Sequence, residues 1–216
     1  MVDGQQSDSD LQVCPVVYVV EDDEPYAAWL DEVLQSANLT VRLYTHPSKF
    51  LAEFSVGSVE CIILDVRLPE MSGFELHRKL VERGVPTPVM MITSFGEVPD
   101  AVEAIRAGAV DYIQKPVSAA ALLDRVQRAL QVSIDQQESN KDLLAIRDSF
   151  RTLSPREVQV LDLLLEGKTT KQVAMSLGIG LTTVDFHRHN VLQKMRVENV
   201  VELAHVMDRY NQLKPS

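Results

Sequence analysis

Carboxyl groups, a hydroxyl and an amine recur at equivalent places in this chain, each just past a short apolar run. VVYVV at 16–20 ends in Glu21-Asp22-Asp23, and CIIL at 61–64 ends on Asp65 before a Pro/Gly loop. PVMMI at 88–92 ends in Thr93-Ser94, and VDYI at 110–113 leads into Gln114-Lys115-Pro116. A lone Asp in such a place is usually a solvated loop residue. Four coincidences in one register argue for a shared site. Crowded acids raise one another's pKa and resist ionising unless cations compensate. Lys115 is one such cation, and an all-oxygen donor set suits a magnesium ion as another.

The elements that must position these groups follow from the pattern. Short apolar runs bounded by turn formers read as strands buried on both faces, which belong to a parallel sheet. Strands are expected near 16–20, 40–44, 60–64, 88–92 and 110–113. Helices are expected near 24–37, 47–54, 73–83, 97–107 and 118–134. Five βα units imply a doubly wound, five-stranded parallel sheet of the α/β class. In such a sheet the ligand crevice lies beyond the carboxyl ends of the strands, where Asp65 falls.

Composition bounds the rest. A chain of 216 residues can bury one large core or two modest ones. It holds no apolar run long enough for a membrane span. The opening MVDGQQSDSD is acidic and polar, unlike a secretory signal, and reads as a disordered arm over 1–15. Cys14 and Cys61 match no metal spacing and suggest no disulfide, which fits a reducing compartment. The net charge of −10 conceals an asymmetry. Residues 1–150 hold 24 acidic and 12 basic side chains, whereas residues 151–216 hold 7 and 9. A mildly basic tail on an acidic protein suggests a polyanionic partner for the tail alone.

From Val117 to Ser154 the chain has neither Gly nor Pro, so the connector over 135–150 reads as helical, with DQQESN at 135–140 as its possible break. After 150 no strand pattern remains. Ser154-Pro155-Arg156-Glu157 is a capping box with Pro at the first helical position. Val158, Leu161, Leu164 and Leu165 then form one face until Gly167. Thr169-Thr170-Lys171-Gln172 opens a short helix that buries Val173, Ala174 and Leu177. After the Gly178-Ile179-Gly180 turn a third helix runs from Leu181 to about Met195, and Asn199 with Glu202 caps a fourth. A short helix, a Gly turn and a longer helix make a helix-turn-helix, whose second helix can enter a DNA major groove.

That third helix has two faces. Val184, Val191 and Met195 recur at core spacing. Thr182, Asp185, Phe186, His189 and Gln193 share another face, flanked by Thr183, His187, Asn190 and Lys194. Phe186 suits a thymine methyl, Asp185 a cytosine amino group and His189 a guanine. Lys168, Lys171, Arg188 and Lys194 surround this face and suit phosphates. An amphipathic helix with an ordinary polar side is the simpler explanation for an isolated segment. The caps, the turn and the charge asymmetry favour DNA.

Taken together, these motifs resemble a family. Residues 16–134 look like the receiver domain of a two-component response regulator, of flavodoxin-like fold. Residues 151–213 look like the LuxR/NarL/FixJ type of four-helix DNA-binding domain. The resemblance is carried by TSFGEVPDAVEAIRAGAVDYIQKP at 93–116 and LSPREVQVLDLLLEGKTTKQVAMSLGIGLTTVDFHRHNVLQKM at 153–195. It implies Asp65 as phosphoacceptor, Glu21-Asp22 as the acidic pair, Thr93 and Tyr112 as switch residues, and Lys115 as the lysine of the Lys-Pro pair. Magnesium would be held by Asp22, Asp65 and the Arg67 carbonyl, with Glu21 reaching through water. Lys115-Pro116 would be cis, turning the lysine back into the site. Two departures stand out. The acidic run has Glu21 first and a third acid, Asp23, and Gly180 replaces the usual capping Ser.

The implied function is phosphorylation-dependent regulation of transcription, by a cytoplasmic protein that is not an enzyme beyond its own phosphorylation and dephosphorylation. Its implied partners are a sensor histidine kinase, double-stranded DNA, a second copy paired through residues 97–130 or the last helix, and RNA polymerase. A haloacid-dehalogenase-like phosphatase also uses an Asp nucleophile after a strand. It needs a second Asp two residues on, where this chain has Arg67. A constitutive DNA-binding protein with a degenerate receiver used for pairing is the other alternative, opposed by the complete acid, hydroxyl and lysine set. A nucleotide-binding Rossmann domain lacks its G-x-G-x-x-G.

Overall fold

The computed structural model describes residues 14–213, so the arm expected over 1–15 lies outside the described residues up to position 13. The chain divides into two compact units, with the boundary between Gln137 and Glu138. In the first, β1 (Val16–Val20), β2 (Thr40–Tyr44), β3 (Glu60–Asp65), β4 (Val89–Thr93) and β5 (Asp111–Gln114) alternate with α1 (Glu24–Ser36), α2 (Pro47–Glu53), α3 (Gly73–Glu82) and α4 (Val98–Arg106). The strands are parallel and lie in the order β2-β1-β3-β4-β5. The order reverses between β1 and β3, which opens the crevice where such sheets bind ligands.

Both faces of the sheet are covered, which is why its strands read as unbroken apolar runs. On one face Val17, Val19, Cys61, Ile63, Met90, Ile92 and Ile113 pack against α1 and α5 (Ala119–Arg151). On the other, Tyr18, Val20, Ile62, Leu64, Val89 and Met91 pack against α2, α3 and α4. Edge strand β2 is more open, with Thr40, Arg42 and Leu43 exposed. Helix α5 opens at Ser118, whose hydroxyl accepts the Ala121 N–H at 3.3 Å. DQQESN lies inside α5 and does not break it, as expected of a segment free of Gly and Pro.

The second unit contains α6 (Pro155–Leu165), α7 (Thr170–Leu177), α8 (Leu181–Lys194) and α9 (Val200–Leu213). The capping boxes at Ser154–Glu157 and Thr169–Gln172 both form, and Gly178 turns the chain at φ 64°. Gly180 caps α8 without a side-chain bond, and the Asn199 carboxamide accepts from the Glu202 N–H at 2.9 Å. One core cluster holds Val160, Leu164, Val173, Ala174 and Val184, and another Leu161, Val191, Met195, Val197 and Leu203. Ile146 and Phe150 pack on the latter. The buried face of α6 is rotated from its expected position. Val160 is fully buried whereas Val158 is only half-buried, because Glu157 itself turns inward.

At the amino-terminal end of β3 lies an acid of a different kind. Glu60 is buried, and its carboxylate accepts from the Thr87 hydroxyl at 2.6 Å and the Gly57 N–H at 2.9 Å. Its own N–H donates to the Ser133 hydroxyl of α5 at 3.1 Å. Removing one partner leaves a buried carboxylate short of a donor, which costs about 1–3 kcal/mol. Thr87→Val is therefore expected to destabilise the first unit by about that amount. Urea denaturation followed by fluorescence of Trp29, the single tryptophan, reads it directly. An unchanged midpoint would count against the Thr87–Glu60 bond.

Candidate functional site

Strands β1 and β3 are neighbours with Val20 opposite Leu64, so the residues that follow them meet. Carboxylate oxygens of Glu21, Asp22 and Asp65 lie within 4.8 Å of one another. Glu21 and Asp65 are buried and Asp22 is exposed, which leaves the cluster open on one side. Lys115 enters from the end of β5 beyond β4, its N–H bonded to the Thr93 carbonyl at 2.7 Å and its peptide to Pro116 cis. Its ammonium donates to Glu21 Oε2 and Asp65 Oδ2, each at 2.7 Å. Asp65 Oδ1 accepts the Arg67 N–H at 3.1 Å.

One lysine does not balance three acids. Burial pushes the Glu21 carboxyl up to about 7, with Asp65 adding to the rise and Lys115 opposing it. Three hard oxygen donors short of positive charge fit a small divalent cation. The third acid of the run has another task. Asp23 is the N-cap of α1, accepting the Tyr26 N–H at 3.3 Å. Tyr26 turns its ring under the Lys115 ammonium, 4.3 Å from nitrogen to centroid. Burial, then Glu21 and Asp65, push the Tyr26 phenol up to about 12.

Around this cluster the loops interlock. Thr93 is buried at the end of β4, its hydroxyl accepting the Phe95 N–H at 3.2 Å. The Tyr112 hydroxyl donates to the Phe95 carbonyl at 3.4 Å. The Arg67 guanidinium lies 3.8 Å over the Phe95 ring, which joins the loop after β3 to the loop after β4. Gly73 is forced by proximity, since a Cβ there would stand 2.2 Å from the Asp65 carbonyl oxygen. Sequence reasoning missed Tyr26, Phe95 and Gly73. The pattern PEMSG marked a turn, but no pattern marks which aromatic ring will meet a cation.

In the second unit α8 presents the expected face. Thr182, Thr183, Asp185, Phe186, His189 and Gln193 are exposed, and Phe186 is 62% accessible despite its size. Lys168 and Lys171 are exposed and Arg188 is half-exposed. His187 leans inward, with its Nδ1 enclosed and unpartnered. Lys194, expected among the phosphate contacts, has its ammonium engaged inside the unit. It donates to Glu157 Oε2 at 2.7 Å and to the Thr152 carbonyl at 3.0 Å. The adjacent Arg156 donates to the Leu177 carbonyl at 2.7 Å, at the last turn of α7. On α9, the last helix and one of the two faces expected to pair, Leu203 is buried in the unit's own core, while Val201 is exposed.

Residues 17–127 match the response regulator receiver domain, and residues 151–207 match the bacterial regulatory proteins of the luxR family. The chain is 38% identical over 206 residues to the response regulator protein TmoT of Ectopseudomonas mendocina, covering 95% of this chain and 93% of the relative. This chain is a LuxR-family response regulator. It is also 35% identical over 188 residues to the transcriptional regulatory protein FixJ of Rhizobium meliloti, covering 87% of this chain and 92% of that one. The solved structure of the response regulator StyR superimposes with a TM-score of 0.81 at 36% identity, covering 91% of this chain and all of the other.

As a LuxR-family response regulator the protein is a phosphorylation-dependent regulator of transcription and not an enzyme in the ordinary sense. A receiver domain implies a histidine kinase partner, and a LuxR-type domain implies DNA. Receiver domains bind magnesium through acidic residues, and the acidic cluster of this chain suits it. Among the described residues no helix is long and apolar enough to cross a membrane.

The Glu157–Lys194 pair makes a separable expectation. The Lys194 hydrogen bond, helped by Ser154, holds the Glu157 carboxyl down at about 2. A carboxyl lowered in the folded state stabilises above its ordinary value of 4.5, and that stability is lost as pH falls toward 2. Glu157→Gln should therefore melt earlier than wild type at neutral pH, with the gap narrowing steadily below about pH 5. Lys194→Met should lower the same transition while leaving the salt dependence of DNA binding unchanged. A reduced salt slope for Lys194→Met would place this lysine on a phosphate instead.

Proposed function

We propose that Asp65 is the phosphoacceptor and that Glu21, Asp22, Asp65 and the Arg67 carbonyl hold magnesium beside it. The observation that carries this reading is the Lys115 ammonium at 2.7 Å from both Glu21 and Asp65, with Asp22 in the same cluster and exposed. A carboxylate oxygen of Asp65 attacks the phosphorus of a kinase phosphohistidine. A P–O bond forms as the P–N bond breaks, and the imidazole leaves with the electron pair. When bound, magnesium neutralises charge on the transferring group. Positioning and charge stabilisation supply the catalysis. Lys115 follows the new phosphoryl oxygens, and the Thr93 hydroxyl leaves the Phe95 N–H to meet them. Tyr112 gives up the Phe95 carbonyl and turns into the space vacated.

This rearrangement biases the surface over residues 97–130 toward pairing with a second copy. Val98 and Ile105 are exposed there, which supports such a face. Pairing brings two α8 helices to one site, where Thr182, Asp185, Phe186 and His189 read bases. Thr183, Lys168, Lys171 and Arg188 meet the backbone, and His187 supports the helix from its inner side. The bound dimer then engages RNA polymerase. Kinase phosphohistidine and chromosomal DNA are met in the cytoplasm, so the chain acts there. A degenerate receiver used only for pairing is disfavoured by the complete set of acids, Thr93 and Lys115.

Labelling by acetyl phosphate tests the core of this reading. Asp65→Asn should abolish labelling, and excess chelator should abolish it in wild type. Labelling of the Asn variant at the wild-type level would move the phosphosite elsewhere. Thr93→Ala should still be labelled but should lose phosphate-dependent pairing, as seen by ultracentrifugation. On DNA, loss of Lys171 or Arg188 should weaken all sequences alike and lower the salt slope by about one unit. Asp185→Ala should instead change the preferred sequence, by roughly 1–3 kcal/mol at one base pair. Selection from a randomised library separates the two.

A further inference from the structure

The lysine of the acidic cluster is held by more than carboxylates. An ammonium has three donors, and two of those on Lys115 go to Glu21 and Asp65. The ammonium also meets the ring of Tyr26, whose centroid lies 4.3 Å from the nitrogen. Tyr26 is itself fixed on both ends. Its N–H is tied to the capping carboxylate of Asp23, and its ring packs against Trp29 with centroids 5.3 Å apart. Its hydroxyl is buried and has no hydrogen-bond partner. A buried phenol that bonds to nothing is retained at a cost, so the hydroxyl does not account for this residue. The aromatic face does.

We propose that Tyr26 is a positioning residue for phosphoryl transfer, its ring acting as a cation–π platform that keeps the Lys115 ammonium on the reacting side of Asp65. The inference rests on Asp65 as phosphoacceptor and deepens that assignment. Lys115 has a flexible four-carbon stem that can swing toward water once its bonds to Glu21 and Asp65 loosen. When the phosphoryl group arrives, the ammonium must move from the carboxylates to the new oxygens without leaving the cleft. The ring bounds that movement on one side and excludes water there. The Asp23 cap sets the ring in place, which gives the third acid of the Glu21-Asp22-Asp23 run a part in the chemistry.

The test uses the full-length chain, with magnesium and acetyl phosphate, and measures the labelling rate of Asp65. Tyr26→Leu should slow labelling roughly 5- to 30-fold. Tyr26→Phe keeps the ring and should label within about twofold of wild type while melting no earlier, since it removes only an unpartnered hydroxyl. The deciding measurement is a double-mutant cycle with Lys115→Ala. If the ring acts through the ammonium, Tyr26→Leu should have little further effect once Lys115 is gone. Additive losses would show that Tyr26 merely fills space, and full-rate labelling of Tyr26→Leu would overturn the proposal. Either result would leave Asp65 as phosphoacceptor standing. Undiminished labelling of Asp65→Asn would instead remove the assignment on which the proposal is built.

Discussion

The constraint on which the first unit depends is the repulsion among acids gathered at the ends of β1 and β3. Packing forces the approach, because Val20 and Leu64 are buried neighbours and the chain beyond them has nowhere else to go. The burial that makes the sheet stable also removes water from Glu21 and Asp65. Lys115 relieves part of the conflict, and the remainder is a standing attraction for cations and for anionic groups that arrive with them. The site is thus a place where the fold is left electrostatically incomplete.

Everything around the cluster makes that incompleteness specific. Asp23 is withdrawn from the cluster to cap α1, which leaves Glu21 and Asp22 beside Asp65. Gly73 lets α3 start against the Asp65 backbone, where any side chain would collide. Arg67 and Phe95 lock adjacent loops by a cation over a ring. The two ends of β3 make an instructive contrast. Glu60 is satisfied by a hydroxyl and an amide, so it is settled and structural, whereas Asp65 shares one ammonium with a second buried acid.

Much of this was legible in the sequence, for a physical reason. Strands buried on both faces are unbroken apolar runs, and their ends are sharp, so Asp65, Thr93 and Lys115 could be placed at one edge of a sheet without coordinates. Helix starts were equally plain, because capping boxes such as Ser154–Glu157 satisfy the first-turn N–H groups with side chains visible as a spacing. What could not be read depends on where side chains end rather than where they begin. Tyr26 meets Lys115 across most of the first unit's length in sequence, and nothing in either neighbourhood announces it. Glu157 looked like a cap alone, yet its inward turn rotates the face of α6 and buries Val160 in place of Val158. Lys194 looked like a surface cation at the end of a polar helix. Its long stem reaches Glu157 instead, and only the geometry of α6 against α8 decides that.

The two neighbouring bonds of α6 have a consequence for how the second unit can be controlled. Arg156 holds the last turn of α7 and Glu157 holds the last residue of α8. Both members of the helix-turn-helix are therefore fastened to a single turn of a third helix. Bending the reading helix alone would break the half-buried Glu157–Lys194 contact, so it has little latitude to be remoulded by a distant event. The module behaves as a die of fixed shape. A signal can decide when it is pressed against DNA and how many copies are present, but not what it is cut to fit.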